Sequence, residues 1–179
     1  MRSSRPARQD TYALVMADIE GSTRLTIKLG DLAVSKFLSS FHNRVRRLAS
    51  KHQGKIVKFI GDGFFAIFRK MDDAVKFSLQ LRAEFTKDKF LREEALGLRI
   101  GIHVGPVHIS ETPYGEDAFG SSVNLVARLE GLARPGDILI SQAATEALSP
   151  EERRRISSGE VGDLKGVGRV AFNRLELAS

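Results

Sequence analysis

The sequence predicts an α+β fold, a ferredoxin-like βαββαβ sandwich with a C-terminal α/β extension. Its apolar patterns alternate between short β-rich runs and longer stretches with helical spacing, in the order β-α-β-β-α-β followed by further helix and strand. An Asp-Gly pair between two apolar runs is a strong hairpin signal. The length of 179 residues, with 42% hydrophobic and 28% charged side chains, is typical of one soluble globular domain.

The first half of the chain predicts a strand, a long helical region, a hairpin and a second helix. An apolar run that ends in a carboxylate (YALVMAD, 12–18) is typical of a buried strand. After it, Gly21-Ser22-Thr23 opens a helical stretch, and Asp31 is a candidate second N-cap. The remaining elements of this half are β-rich runs at 55–60 and 64–68, joined by Gly61-Asp62-Gly63, and a helix at 71–85.

The second half predicts a long strand, a helix and a mixed extension. The run LRIGIHVGPVHI (98–109) contains two glycines, which permit a bend or a close backbone approach. We then expect a loop at 111–118, a helix at 122–132, a strand at 137–140, a short helix at 142–148 and a last strand at 169–177. Residues 1–10 are polar and basic without periodicity, so we expect a disordered tail there and one folded domain over 11–179.

Composition excludes several kinds of protein. The chain has no cysteine, which excludes a disulfide framework, a thiolate zinc site and a cysteine nucleophile. No apolar run approaches the ~20 residues that span a bilayer, and the N-terminus lacks the apolar core of a signal peptide. We therefore expect a cytoplasmic location.

The net charge of +6 would suit a polyanionic partner, but the basic residues are dispersed along the chain. An RNA-binding sheet needs exposed aromatic side chains on its central strands, whereas core packing explains Phe64, Phe65 and Phe68 better. With no tryptophan and two tyrosines, stacking platforms are sparse. We expect no nucleic-acid partner.

Two carboxylates stand out by their position. Asp18 ends the first strand and Asp62 lies at the tip of the hairpin, so both can meet at one edge of a β-α-β-β fold. Paired Asp oxygens suit Mg²⁺ or Mn²⁺, which keep open positions for water and phosphate oxygens. The alternative to metal binding is that both residues have local structural roles: Asp18 could cap the next helix, and Asp62 could simply fill the turn.

Further polar residues fit a phosphate-containing ligand. Gly21, Ser22 and Thr23 place backbone N–H groups at a helix N-terminus directly after Asp18, where phosphate binds readily, although ordinary capping explains the hydroxyls equally well. Lys58 lies on a strand that we expect to be largely buried, so it needs a polar partner or a route to the edge. Asn124 and Arg128 share one helix face, which is either a ligand-binding face or a solvated one.

Five segments together resemble the class III nucleotidyl cyclases, from about Tyr12 to Glu176. In order and spacing they are LVMADIEGSTRL (14–25), KFIGDGFFAIF (58–68), LRIGIHVGPV (98–107), EDAFGSSVNLVARLEGLA (116–133) and LKGVG (164–168). The resemblance implies a cyclase homology domain over 11–179 that converts a nucleoside triphosphate to its 3′,5′-cyclic monophosphate and pyrophosphate.

The resemblance also implies a role for each matching residue. Asp18 and Asp62 match the two metal-binding aspartates, which hold two divalent ions (Mg²⁺ or Mn²⁺), and the backbone from Ile19 to Thr23 matches the phosphate-binding segment. The remaining matches are Lys58 and Asp117 for the adenine edge, Asn124 and Arg128 for the ribose and the transition state, and Arg99 and Lys165 for phosphate contacts.

An acceptor and a donor at Asp117 and Lys58 complement adenine, so the expected activity is adenylate cyclase with ATP as substrate. Glu116 lies next to Asp117, and the register of that loop decides which of the two is used. The resemblance further implies a head-to-tail homodimer with shared active sites. Alternatives are a guanylate cyclase and a catalytically silent nucleotide-binding module. No sensor segment is visible, so a regulatory domain outside this chain is a further candidate partner.

Overall fold

A computed structural model describes residues 8–113, 115–157 and 159–176, and it confirms the α+β sandwich. The sheet contains β1 (Arg8–Glu20), β2 (Gly54–Ile60), β3 (Gly63–Phe68), β4 (Gly97–Thr112), β5 (Gly115–Phe119), β6 (Ile138–Ser141), β7 (Glu160–Leu164) and β8 (Gly168–Arg174). The helices are α1 (Ser22–Leu29), α2 (Asp31–Lys51), α3 (Met71–Lys87), α4 (Lys89–Glu93), α5 (Ser121–Leu132), α6 (Gln142–Glu146) and α7 (Pro150–Arg153).

The strand order is that of a β-α-β-β-α-β unit with an extension. Neighbouring strands follow the order β2-β3-β1-β4-β6-β8-β7, with β5 paired to β4. The first four strands are mutually antiparallel where they pair, and β6 adds to β4 in parallel. Strand β1 is therefore central, and β2 is an edge strand.

The two faces of the sheet are covered by different helices. Alternate residues of β1, among them Val15 and Ala17, point into the main core with α1, α2, α3 and α4. Tyr12 and Leu14 point to the other face, where they form a smaller core with Val126 of α5. On this second face Met16 is only half-buried. The face thus stays partly open beside the end of β1.

Strands β4 and β5 form a hairpin that bends back over the second face. In a flat sheet β5 would be separated from β2 by β4, β1 and β3, yet side chains of β2 and β5 form ion pairs with each other. The prediction of a loop at 111–118 is therefore wrong. Its composition is turn-like, but its backbone groups pair with β4 from Ser110↔Asp117 to Thr112↔Gly115.

Several other boundaries differ from the sequence prediction. Strand β1 begins at Arg8, where it pairs with Ile109, so residues 8–10 belong to the sheet and not to a tail. Residues 1–7 of the expected tail lie outside the described residues. Gly30 is the N-cap of α2, and Asp31 is the first helical residue. The sequence prediction missed α4, α7 and β7. Within the described ranges, no helix has the length and apolarity needed to cross a bilayer.

Candidate active site

The end of β1 and the turn between β2 and β3 bring Asp18 and Asp62 together. Ala17 pairs with Phe64, which places the start of β3 beside the end of β1. A side chain at Gly63 would lie 2.6 Å from the carbonyl oxygen of Ala17 and 3.3 Å from Oδ1 of Asp18. The hairpin thus fits tightly against the metal-binding candidate on β1, and the expected convergence occurs.

Asp18 does not cap helix α1, so the capping alternative is wrong for it, whereas Asp62 does lie in the turn between β2 and β3. The N-terminus of α1 has no side-chain cap, and Asp62 accepts a hydrogen bond from the Ser22 hydroxyl. Burial raises the pKa of Asp62 and the nearby Asp18 carboxylate raises it further, whereas the hydrogen bond from Ser22 lowers it. The pair therefore concentrates negative charge that a cation would neutralise.

The two carboxylates fit divalent metal ions. No group of three or more His, Cys, Asp or Glu side chains that could hold a metal lies in the described part of the chain. Two carboxylates with open positions match hard ions that share their remaining ligands with water and phosphate. In this structure the guanidinium of Arg99 contacts the Asp18 carboxylate and supplies the positive charge there.

Arg99 also contacts an acidic residue that the sequence interpretation missed. Its Nε lies 3.3 Å from Oε1 of Glu130 on α5 and 3.9 Å from Glu20. Both the Nε and the Oε1 are buried without a hydrogen-bond partner in the described residues, so the ion pair lacks hydrogen-bond geometry. Burial lowers the pKa of Arg99, but the Asp18 and Glu130 carboxylates raise it more, and the net change is upward. Glu130 follows Val126 by four residues, and this helical spacing was a signal that it faces inward.

The segment after Asp18 leads directly into the N-terminus of helix α1. Gly21 has φ of +96°, a conformation that favours glycine, and it precedes the first turn of α1. Arg24 donates to the carbonyls of Glu94 and Ala95, and Lys28 pairs with Glu94 at 2.7 Å. These contacts hold α1 against the segment between α4 and β4. Thr23 is exposed, whereas the side chain of Ile19 is buried in the main core.

Lys58 on β2 and Asp117 on β5 form an ion pair. The Nζ of Lys58 lies 2.8 Å from Oδ1 and 2.9 Å from Oδ2 of Asp117. Lys55 pairs instead with Glu116, so the register places Asp117, not its neighbour, beside Lys58. Burial raises the pKa of Asp117, but hydrogen bonds from Lys58 and Ala118 lower it more, and the net change is downward.

Lys58 is not buried as expected. Its side chain is 39% exposed because β2 is an edge strand. The ion pair lines a cleft of about 680 Å³ between β2 and β5, together with Arg46, Phe59 and Glu116. The donor and the acceptor are therefore accessible to a ligand.

Asn124 and Arg128 are both exposed on α5 and share the face expected from their spacing. The opposite face of α5 packs on β4. A side chain at Gly101 would lie 2.6 Å from the backbone nitrogen of Glu130, so the contact needs glycine.

Lys165 is exposed in the turn between β7 and β8, at the end of the sheet away from β2. The structure does not bring it to the other candidates within one chain.

The candidates thus form two separate sets in one chain. One contains Asp18, Asp62, Ser22 and Arg99, which are linked by direct contacts or by charge. The other contains Lys58 and Asp117. Among the described residues no hydrogen bond or ion pair joins the two sets.

Comparisons with known proteins show similarity over nearly the whole chain. The family model described as "Adenylate and Guanylate cyclase catalytic domain" matches residues 5–175. Receptor-type adenylate cyclase B of Leishmania donovani is 28% identical over 198 residues, covering 88% of this chain and 15% of that protein. Guanylate cyclase 2G of Rattus norvegicus is 28% identical over 160 residues, covering 82% of this chain and 14% of that protein. The chain thus spans about one-seventh of the length of these relatives.

Solved structures share the fold. The adenylyl cyclase CyaB from P. aeruginosa is 22% identical with a TM-score of 0.83, and the match covers 98% of each chain. The guanylate cyclase domain of RhGC from Catenaria anguillulae, solved with GTP, is 19% identical with a TM-score of 0.84, covering 97% of this chain and 100% of that one.

Proposed function

Because this chain belongs to the class III adenylate and guanylate cyclase family, we propose that it is an adenylate cyclase that converts ATP to 3′,5′-cyclic AMP and pyrophosphate at sites shared between two copies of the chain. The observation that carries the proposal is the convergence of Asp18 and Asp62 beside the N-terminus of α1. Two carboxylates beside the free N–H groups of a helix N-terminus support a metal site next to a phosphate site.

In the proposed reaction, the ribose 3′-oxygen forms a bond to the α-phosphorus and the bond from that phosphorus to the pyrophosphate oxygen breaks. The 3′-hydroxyl releases its proton to a water molecule as it attacks, and the pyrophosphate leaves with the electron pair of the broken bond. Asp18 and Asp62 would hold two divalent ions, which when bound acidify the hydroxyl and share the developing phosphoryl charge.

The chain's own residues position the substrate and complement its charge. The backbone from Ile19 to Thr23 binds the terminal phosphates at the start of α1. Asn124 orients the ribose, and Arg128 stabilises the negative charge that develops on the transferred phosphoryl group. Arg99 and Lys165 contact phosphate. Arg99 would do so after leaving the Asp18 carboxylate. Positioning is the main requirement, since the protein forms no covalent bond to the substrate.

The preference for ATP rests on Lys58 and Asp117. Adenine presents an amine donor beside a ring acceptor, and the ion pair holds an acceptor and a donor side by side in an accessible cleft. Guanine presents a carbonyl acceptor and a ring N–H donor at the same edge. Asp117 would then face an acceptor and Lys58 would face a donor, so neither hydrogen bond could form. A site whose polar groups match one base and oppose the other discriminates strongly.

The proposal of shared sites is supported by the absence, among the described residues, of any hydrogen bond or ion pair between the two sets. A second copy in head-to-tail arrangement would bring Lys58, Asp117, Asn124 and Arg128 to the Asp18 and Asp62 of its partner. Exposed apolar side chains near the metal-binding half support such a contact, namely Ile27, Leu32 and Ile60.

The test is cyclic nucleotide production from ATP and from GTP with Mn²⁺ or Mg²⁺, for the wild type, Asp62→Asn and Asn124→Ala. We expect cyclic AMP from the wild type and a loss of at least about 100-fold in each variant. Asp163→Asn, on the exposed strand β7, is the matched carboxylate control and should retain full activity.

Each other outcome has a definite meaning. Cyclic GMP in place of cyclic AMP would keep the chemistry and overturn the assignment of the base to Lys58 and Asp117. No product from either nucleotide, together with saturable ATP binding by a dimeric protein, would overturn the enzyme proposal in favour of a silent nucleotide-binding module.

A further inference from the structure

Arg99 lies opposite the metal-binding candidate Asp18 in the sheet. The two residues are direct partners in the antiparallel register of β4 and β1, so their side chains lie on the same face. The guanidinium contacts Oδ2 of Asp18, and the two side chains are 24% and 30% exposed. The pairing of the strands therefore holds a partly buried cation against this carboxylate.

Glu130 on α5 is packed over the same face of β4. Gly101 lies two residues from Arg99, so both positions face one side of the strand. A side chain at Gly101 would lie 2.6 Å from the Glu130 backbone nitrogen, which shows how closely the helix approaches the strand. The Glu130 carboxylate therefore lies beside Arg99, with its Oε1 3.3 Å from Nε, whereas Nη2 of Arg99 contacts Asp18.

The ion pair of Arg99 and Glu130 is incomplete. The Nε donor and the Oε1 acceptor are both buried, yet neither has a hydrogen-bond partner among the described residues. Because a buried charged group without a hydrogen bond is unfavourable, a guanidinium that leaves Asp18 gains by completing this bond. Glu20 is a weaker alternative partner, since it lies 3.9 Å from Nε and its side chain is 54% exposed.

We propose that Arg99 is an internal counter-cation that holds the Asp18 carboxylate until a divalent ion takes its place, and that Glu130 is the positioning residue that then receives the guanidinium. The inference rests on the proposed function, since it concerns the same metal site. A guanidinium and a divalent ion repel each other at one carboxylate, so Arg99 competes with the ion for Asp18. The bond to Glu130 keeps Arg99 beside the site, where the proposed function gives it a phosphate contact.

Mn²⁺ affinity, measured without nucleotide from the EPR signal of the free ion, should change in opposite directions when each partner is removed. Arg99→Gln removes the competing cation, so we expect Mn²⁺ to bind about 10-fold more tightly. Glu130→Gln removes the group that receives Arg99, so Mn²⁺ should bind about 10-fold more weakly. The matched control is Glu152→Gln, because Glu152 is also buried and pairs with the Nε of another arginine, Arg155. It should leave the affinity unchanged.

The double variant separates this exchange of partners from a simple charge effect. In Arg99→Gln no guanidinium needs a new partner, so adding Glu130→Gln should change the Mn²⁺ affinity by less than about twofold. Burial raises the pKa of Glu130 to about 7, so the titrations are made at about pH 8. If Glu130→Gln weakens binding by the same factor with and without Arg99, its charge acts on the ion directly and the proposal is overturned.

The Nε–H of Arg99 reports the exchange of partners in the wild-type protein itself. Arg99→Lys identifies its signal in the proton–nitrogen NMR spectrum as the one that disappears. At saturating Mg²⁺ without nucleotide, we expect hydrogen exchange of this N–H to slow by at least about 10-fold as it bonds to Glu130. In Glu130→Gln the rate should not change. Unchanged exchange in the wild type would overturn the proposal even where a variant fails to fold.

The remaining outcomes are also decisive. If neither the wild type nor Arg99→Gln binds Mn²⁺, Arg99 does not compete with a metal ion and the proposal is wrong. If the wild type makes no cyclic nucleotide, the proposed function fails, whereas the Mn²⁺ titration and the Nε–H exchange still decide the roles of Arg99 and Glu130.

Discussion

Asp18, Glu20 and Glu130 place three carboxyl groups around one guanidinium, that of Arg99. Glu130 is the most buried of them, with a side chain that is 13% exposed. Its pKa rises to about 7 because burial disfavours its charge and because Asp18 and Asp62 repel it, although Arg99 opposes the change. An ion pair at 3.3 Å without hydrogen-bond geometry is too weak to offset this desolvation.

The raised pKa of Glu130 predicts how stability depends on pH. The folded protein binds this proton more tightly than the unfolded chain, whose carboxyl has a pKa near 4.5, so stability falls as the pH rises from about 4.5 to about 7. In Glu130→Gln this contribution, up to about 3 kcal/mol, should vanish. Urea unfolding at pH 5 and pH 8 with EDTA would measure it. An equal pH dependence in both proteins would contradict the prediction.

The Lys58–Asp117 ion pair predicts how base preference can be changed. Lys58→Glu alone would place two carboxylates together, so the change needs Asp117→Ser as well. The double variant offers an acceptor for the guanine N–H and a hydroxyl donor for its carbonyl. We expect the preference for ATP over GTP, measured as the ratio of kcat/KM values, to fall by about 100-fold. Lys55→Glu with Glu116→Ser, the neighbouring pair, should leave that ratio unchanged.

Single residues differed in how far their local sequence revealed them. The meeting of Asp18 and Asp62 at one edge of the fold was predictable, because a carboxylate at the end of an apolar run and one in an Asp-Gly turn are local patterns. The spacing of Glu130 from Val126 indicated an inward position, but its contact with Arg99 depends on how α5 packs on the sheet, which no local pattern specifies. Lys58 proved half-exposed because the edge position of β2 is a property of the whole sheet.

At the scale of elements, long periodic segments were predicted best. Helices α2, α3 and α5 and the hairpin of β2 and β3 follow their patterns within a few residues. Strand β5 has the composition of a loop and becomes a strand because β4 supplies its hydrogen-bond partners. Helices α4 and α7 have five and four residues, too few to show a helical period.

The packing of α5 on β4 predicts opposite effects for two glycines. Gly101→Ala places a methyl group 2.6 Å from the Glu130 nitrogen and 2.8 Å from the Val126 carbonyl oxygen, and a backbone cannot move aside easily. We expect a loss of about 1–3 kcal/mol in the free energy of unfolding, with lower activity because Asn124 and Arg128 shift with the helix. Gly131→Ala meets open space near the end of the same helix and should add about 0.5 kcal/mol. Chemical denaturation of both variants would test this, and a destabilised Gly131→Ala would contradict it.

At the scale of the whole molecule, the order of neighbouring strands β2-β3-β1-β4 was predictable, because the succession of strands and helices along the chain allows few topologies. The bend of the β4–β5 hairpin was not, although Gly101 and Gly105 permitted it. That bend decides where Asp117 lies. It joins Asp117 to Lys58 in a set that has no hydrogen bond or ion pair to the metal-binding set among the described residues, which supports the proposal of sites completed by a second chain.

Shared sites predict that two inactive variants restore activity in each other. Asp62→Asn keeps Asn124 and Arg128 intact, and Asn124→Ala keeps both aspartates, so a mixed dimer has one complete site and one with both lesions. Random pairing of equal amounts makes half of the dimers mixed, so the mixture should regain about one-quarter of wild-type activity. Mixing Asp62→Asn with Asp18→Asn is the matched control and should stay inactive, because every site then lacks one aspartate. Cyclic AMP production after joint refolding would measure both mixtures. If the first mixture also stays inactive although the variants form mixed dimers, each chain must build its own site, and the head-to-tail arrangement is wrong.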